Sequence, residues 1–126
     1  MKTRELILSN NIFYKMAETA VAQNEEGPIR GILGSTEYPC TPDMTFISYM
    51  IGRIEVMQAL ENCPELESLC LRQNLIRKIE GLENNSKLTE LELYDNRIKH
   101  IHNISHLTNL VFCDISYNLI RHIEGL

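Results

Sequence analysis

"LCLRQN" at 69–74, "LELYDN" at 91–96 and "CDISYN" at 113–118 are three versions of one phrase, set 22 residues apart. Each runs apolar, any, apolar, any, any, asparagine. The alternation Leu69–Cys70–Leu71 has the period of a strand, so the two leucines point one way and Cys70 the other. The agreement extends in both directions. Leu66, Leu88 and Leu110 precede the phrase at equal distances. Ile76, Ile98 and Ile120 follow it, then Ile79, Ile101 and Ile123, then Leu82, Ile104 and Leu126. Apolar residues at every third position suit a loose helical turn or 3₁₀ segment better than a strand. Each period therefore reads as a strand, a turn and a return path. No such unit buries its apolar edge alone, so successive units are expected to stack with their strands parallel.

The pattern L-x-x-L-x-L-x-x-N-x-I-x-x-I-x-x-L, at a period inside the expected range of about 20–29 residues, is that of the leucine-rich repeat. The expected fold class is α/β: a leucine-rich-repeat solenoid with a short parallel sheet on its concave face. A degenerate earlier coil lies on the same grid at Met44, Ile47, Tyr49, Gly52, Ile54, Met57 and Leu60, with Gly52 in place of asparagine. The repeat domain is thus expected over 44–126, about three clear coils after one degenerate coil. Asn74, Asn96 and Asn118 stand where each strand bends inward, and a side-chain amide can both donate and accept there. They are expected to form a ladder between coils. Residues 1–43 show no repeat and read as a helix begun by Ser9 or Asn10 and ended by Gly27, then a linker, "GPIRGILGSTEYPCTPD". Ile12, Phe13, Met16 and Ala20 would share one face of that helix. Leu126 takes the last apolar position of its coil with no strand after it, so the solenoid reads as C-terminally incomplete, a fragment or truncated form.

Composition narrows the function. A formal net charge of −5 over 126 residues argues against nucleic acid as a partner, which calls for clustered Lys and Arg. No apolar run approaches the length of a membrane span, and "LIL" near the start is too short for a secretory signal. Cys40, Cys63, Cys70 and Cys113 form no C-x-x-C pair, so they read as buried thiols of an intracellular protein. His100, His102, His106 and His122 occupy a solvated edge filled in other coils by charged residues, so no metal is expected. The formal glycosylation sites at Asn84 and Asn103 matter only in the secretory pathway. No nucleophile–base–orienter set is present, so neither an enzyme activity, a cofactor nor a small-molecule substrate is expected. A protein partner remains. By the strand alternation, the concave positions are Ser68, Cys70 and Arg72; Glu90, Glu92 and Tyr94; and Phe112, Asp114 and Ser116, with Gln73, Asp95 and Tyr117 at the margin.

The words "LCLRQNLI", "ELELYDN", "DISYNLIRHIEG" and "IGRIE" at 51–55 resemble the amino-terminal repeats of the leucine-rich regulatory subunit of type 1 serine/threonine protein phosphatase. The resemblance covers about residues 47–126. It implies a non-catalytic protein of nucleus and cytoplasm that holds the protein phosphatase 1 catalytic subunit on its concave face. In that family acidic and aromatic residues at the strand positions make the contacts, mostly in later coils. Asp114 is the position that matches the binding pattern; Glu92 and Phe112 adjoin it, and Glu90, Tyr94 and Arg72 complete the face. A ciliary or dynein-assembly scaffold built on the same unit is the alternative.

Overall fold

The computed structural model describes residues 5–7 and 30–123. The helix expected over 9–27, and Leu126, lie outside the described residues. Seven short strands are present among the described residues: β1 (Glu5–Ile7), β2 (Phe46–Ser48), β3 (Ser68–Cys70), β4 (Glu90–Glu92), β5 (His100–Ile101), β6 (Phe112–Asp114) and β7 (His122–Ile123). Five of them form one parallel sheet in the order β1-β6-β4-β3-β2. Register follows the sequence period without slippage: Ile47, Leu69, Leu91 and Cys113 lie side by side, as do Phe46, Ser68, Glu90 and Phe112. β5 and β7 pair in parallel as a second, two-stranded sheet on the return side.

The return paths are turns rather than helices. One 3₁₀ turn, Leu60–Asn62, is the sole helical element among the described residues. The core fills the space between strands and return paths. Leu69, Leu91, Leu71, Leu93, Ile76, Ile98, Ile79 and Ile101 have no exposed surface at all. Burial of each such side chain contributes about 1.5–3 kcal/mol. Strands of only three residues hold together because each apolar position meets its equivalent above and below.

Two corners per unit carry left-handed backbone, and they repeat with the sequence. Ile51, Gln73, Asp95 and Tyr117 have φ of 57°, 56°, 59° and 57°. Ala59, Gly81 and Asn103 have φ of 62°, 76° and 60°. Such conformations cost about 1–2 kcal/mol for residues bearing a Cβ, and a β-branched residue such as Ile51 is disfavoured most. The first set immediately precedes Gly52, Asn74, Asn96 and Asn118, so the strained residue hands the chain to the asparagine whose hydrogen bonds offset the strain.

Those bonds span adjacent units. The Asn96 side chain accepts from Ile76 N–H at 3.0 Å and donates to Leu71 O at 2.9 Å, both in the unit before it. It also donates to Leu93 O, at 3.1 Å, in its own unit. Asn118 repeats the set with Ile98 N–H, Leu93 O and Ile115 O. Asn74 accepts from both Gly52 N–H and Ile54 N–H and donates to Tyr49 O and Arg72 O. A second set of bridges, not foreseen from the pattern, runs along the return side. Asn85 donates to Leu60 O and Cys63 O, Asn103 to Ile79 O and Asn109 to Ser86 O.

The segment expected to be a linker is packed over residues 30–43. Leu33 and Cys40 belong to the core, at 1% and 8% exposure. The Tyr38 ring meets Tyr49 edge-on at 5.2 Å, and the Tyr49 hydroxyl donates to Pro39 O at 2.6 Å. This packing accounts for Gly52 on the asparagine grid. A Cβ at Gly52 would stand 2.8 Å from the Tyr38 hydroxyl, so Tyr38 fills the space where an asparagine side chain would start. Residues 30–40 thus close the first unit with aromatic and aliphatic side chains instead of another strand.

Candidate protein-binding face

Alternation along the strands sends every second side chain away from the core, and the register gathers these into rows. One row is Phe46, Ser68, Glu90 and Phe112; the next is Ser48, Cys70, Glu92 and Asp114. The residues just beyond the strands, Arg72, Tyr94 and Ser116, follow at the same spacing. The described part of this outer face therefore carries three carboxylates, Glu90, Glu92 and Asp114, with Phe46 and Phe112 beside them.

The carboxylates are held by their neighbours. Glu92 accepts from the Cys70 thiol at 3.5 Å and lies 3.8 Å from the Arg72 guanidinium. Glu90 accepts from the Ser68 hydroxyl at 3.3 Å. Asp114 accepts from the Ser116 hydroxyl at 2.6 Å and from Ser116 N–H at 3.0 Å, so one of its carboxylate oxygens is fixed by a local turn. The Arg72 guanidinium stands over the Tyr94 ring, 4.6 Å from its centroid, and Tyr94 leans on Tyr117 with ring centroids 5.0 Å apart. Cation–π contact and the pairing with Glu92 hold Arg72 flat along the face. Ser48, Phe112, Glu92, Asp114 and Tyr94 are half-buried, while Phe46 and Glu90 are exposed.

Asp114, Glu92, Phe112, Glu90, Tyr94 and Arg72 all lie on this one face. Three residues grouped with them in the sequence reading contribute less. Cys70 and Ser116 are nearly covered, and Asp95, expected at the margin, is fully buried at its left-handed corner. Phe46 was not singled out beforehand; its position one period before Ser68 was the available signal, obscured by the loss of the asparagine at Gly52.

The thiols are poorly suited to chemistry. Burial pushes Cys63 up to about 11 and Cys113 up to about 12, and raises Cys40 and Cys70 as well. A nucleophilic cysteine needs the opposite shift. The histidines are tied to the frame: the rings of His100 and His122 stack at 4.9 Å, and His106 Nε2 is 2.9 Å from Leu82 O. Among the described residues no group of three or more His, Cys, Asp or Glu side chains is placed to hold a metal ion.

Models of known protein families do not match the sequence, and a search of curated proteins found no match.

Proposed function

We propose that this chain is a non-catalytic protein-binding module: a leucine-rich-repeat solenoid of the phosphatase-regulator type, acting in nucleus and cytoplasm. Its partner is the protein phosphatase 1 catalytic subunit, taken on the concave side of the sheet. One observation carries the reading. Glu90, Glu92 and Asp114 lie in in-register rows on a rigid parallel sheet with Phe112 and Tyr94 between and beside them. Preset carboxylates steer a basic partner and fix its orientation, while the aromatic rings supply contact area that costs little side-chain entropy. Backbone-anchored strands place these groups more firmly than loops would.

The test is binding of the purified chain to purified phosphatase 1 catalytic subunit by calorimetry. Direct association is expected, weakened at least tenfold by E92K and by D114K, with the affinity falling as salt is raised. Equal affinity in the charge-reversed variants refutes the assignment of the face. Absence of binding, with recovery of axonemal or chaperone proteins instead, favours the ciliary scaffold.

A further inference from the structure

Between the two isoleucines of each return path stand two exposed positions, and in every clear unit both are basic or imidazole. They are Arg77 and Lys78 between Ile76 and Ile79, Lys99 and His100 between Ile98 and Ile101, and Arg121 and His122 between Ile120 and Ile123. Strands β5 and β7 set His100 directly beside His122, with the rings stacked at 4.9 Å. Arg121 N–H donates to Lys99 O at 2.8 Å, so these two residues also stand one above the other. The same 22-residue step carries the pattern back to Arg77 and Lys78. Two columns result, Arg77–Lys99–Arg121 and Lys78–His100–His122, on the return side and apart from the carboxylates of the outer face.

Like charges directly opposite one another on adjacent strands destabilise, so a ladder of this kind calls for counter-charge. Among the described residues no carboxylate forms an ion pair with Arg77, Lys78, Lys99 or Arg121. One unit earlier the first column continues with Glu55, but that carboxylate is taken by Arg30 at 3.1 Å. Arg72 pairs with Glu92 on the outer face, and Lys87 pairs with Glu65. Glu80 lies in the next column, one unit before His102, and is half-buried.

We propose that this basic ladder is a docking surface for a short acidic segment of a partner protein, laid in extended form along the stack of units. Charge complementarity and dimensions select that occupant. Three tiers at about 4.8 Å span about 10 Å, the length of about four extended residues. Alternate carboxylates of such a segment stand about 7 Å apart, within reach of the long Arg and Lys side chains. A short segment stays on the ladder, whereas a nucleic acid extends over the remainder of a chain whose net charge is −5 and is repelled there. The stacked rings add a pH response. Imidazole is the side chain that gains charge between about pH 8 and about pH 5. Two imidazolium rings so close together repel, and carboxylates laid over both relieve that repulsion. The groups around the rings are Lys78 and Glu80 from the unit before, Lys99 and His102 beside His100, and Arg121 beside His122. Cations outnumber the single carboxylate, so the acidic segment binds more tightly as pH falls.

The test follows a fluorescein-labelled octa-aspartate peptide by anisotropy as the full chain is added. Salt is held at about 0.1 M, where screening beyond about 10 Å confines the attraction to the ladder. Binding is expected, weakened at least about fivefold by the double variant Lys99→Gln with Arg121→Gln. Lys87→Gln, outside the ladder, is expected to change it by less than about twofold. In the unmodified chain, a fall from about pH 7.5 to about pH 5.5, where aspartate stays ionised, is expected to tighten binding at least about threefold. His100→Gln with His122→Gln is expected to cancel that gain. Every changed position is exposed, and circular dichroism checks that each variant keeps its fold. Absence of peptide binding, equal weakening by Lys87→Gln, an undiminished pH response in the histidine double variant, or tighter binding of an oligodeoxynucleotide of equal charge overturns the proposal. The phosphatase enters none of these measurements, so this inference and the binding proposal fail separately.

Discussion

Asn96 and Asn118 both donate to one carbonyl, that of Leu93, at 3.1 and 2.9 Å. This shared acceptor makes the asparagine ladder testable as a coupled system. In Asn96→Ala, Ile76 N–H loses its acceptor and Leu71 O its donor. Tyr94 O keeps the Gln73 N–H bond, and Leu93 O keeps Asn118. Two buried groups are thus stranded, each costing about 1–3 kcal/mol; with some relaxation, about 2–4 kcal/mol is expected in total. Asn118→Ala strands Ile98 N–H and Ile115 O in the same way, while Asn96 still serves Leu93. In the double variant Leu93 O loses both donors. A fifth group is stranded that neither single change exposes, and the double is expected to exceed the sum of the singles by about 1–3 kcal/mol. Asn74 shares no acceptor with Asn118, so Asn74→Ala combined with Asn118→Ala is expected to be additive within about 0.5 kcal/mol. Urea unfolding of the four chains of each cycle, with sucrose added equally to all should the doubles be marginal, gives both coupling energies. Zero coupling in the first cycle, or equal coupling in both, refutes the shared-acceptor account.

Other expectations concern corners, thiols and the binding face. Gly81→Ala places a Cβ 2.8 Å from Met57 O on a backbone with φ of 76°, so a loss of about 1–3 kcal/mol is expected in urea unfolding. Ala59→Gly, at φ of 62°, is expected to stabilise, by up to about 1 kcal/mol. Burial keeps the folded Cys113 thiol protonated up to about 12, against an ordinary value of 9.0. Its contribution to stability is therefore intact below the ordinary value and declines as pH rises toward the folded one. Replacing Cys113 by valine is expected to flatten the fall of the urea midpoint on the alkaline side; an unchanged slope counts against it. On the outer face, Arg72→Ala is expected to free Glu92 and alter partner affinity far less than E92K does, as measured by calorimetry.

Much of this molecule was legible in its residues. A period of 22, counted on Leu69, Leu91 and Cys113, determined which side chains enter the core and which share the outer face, because strand alternation is local geometry. Three asparagines at that same period marked where units are tied together. The partners that they bond were not legible, nor were the left-handed corners at Ile51, Gln73, Asp95 and Tyr117, because of those four only the aspartate is of a type enriched at positive φ. The two ends of the sheet were the least readable. Gly52 appeared as a degenerate asparagine position until Tyr38 was seen to occupy its space. Leu6 belongs to a stretch, 1–43, that shows no repeat by sequence, yet β1 lies beside β6. Periodicity reports the chemistry that each unit repeats with its neighbours; closing an end brings together residues remote in the chain, and only their packing in three dimensions selects which segment does it.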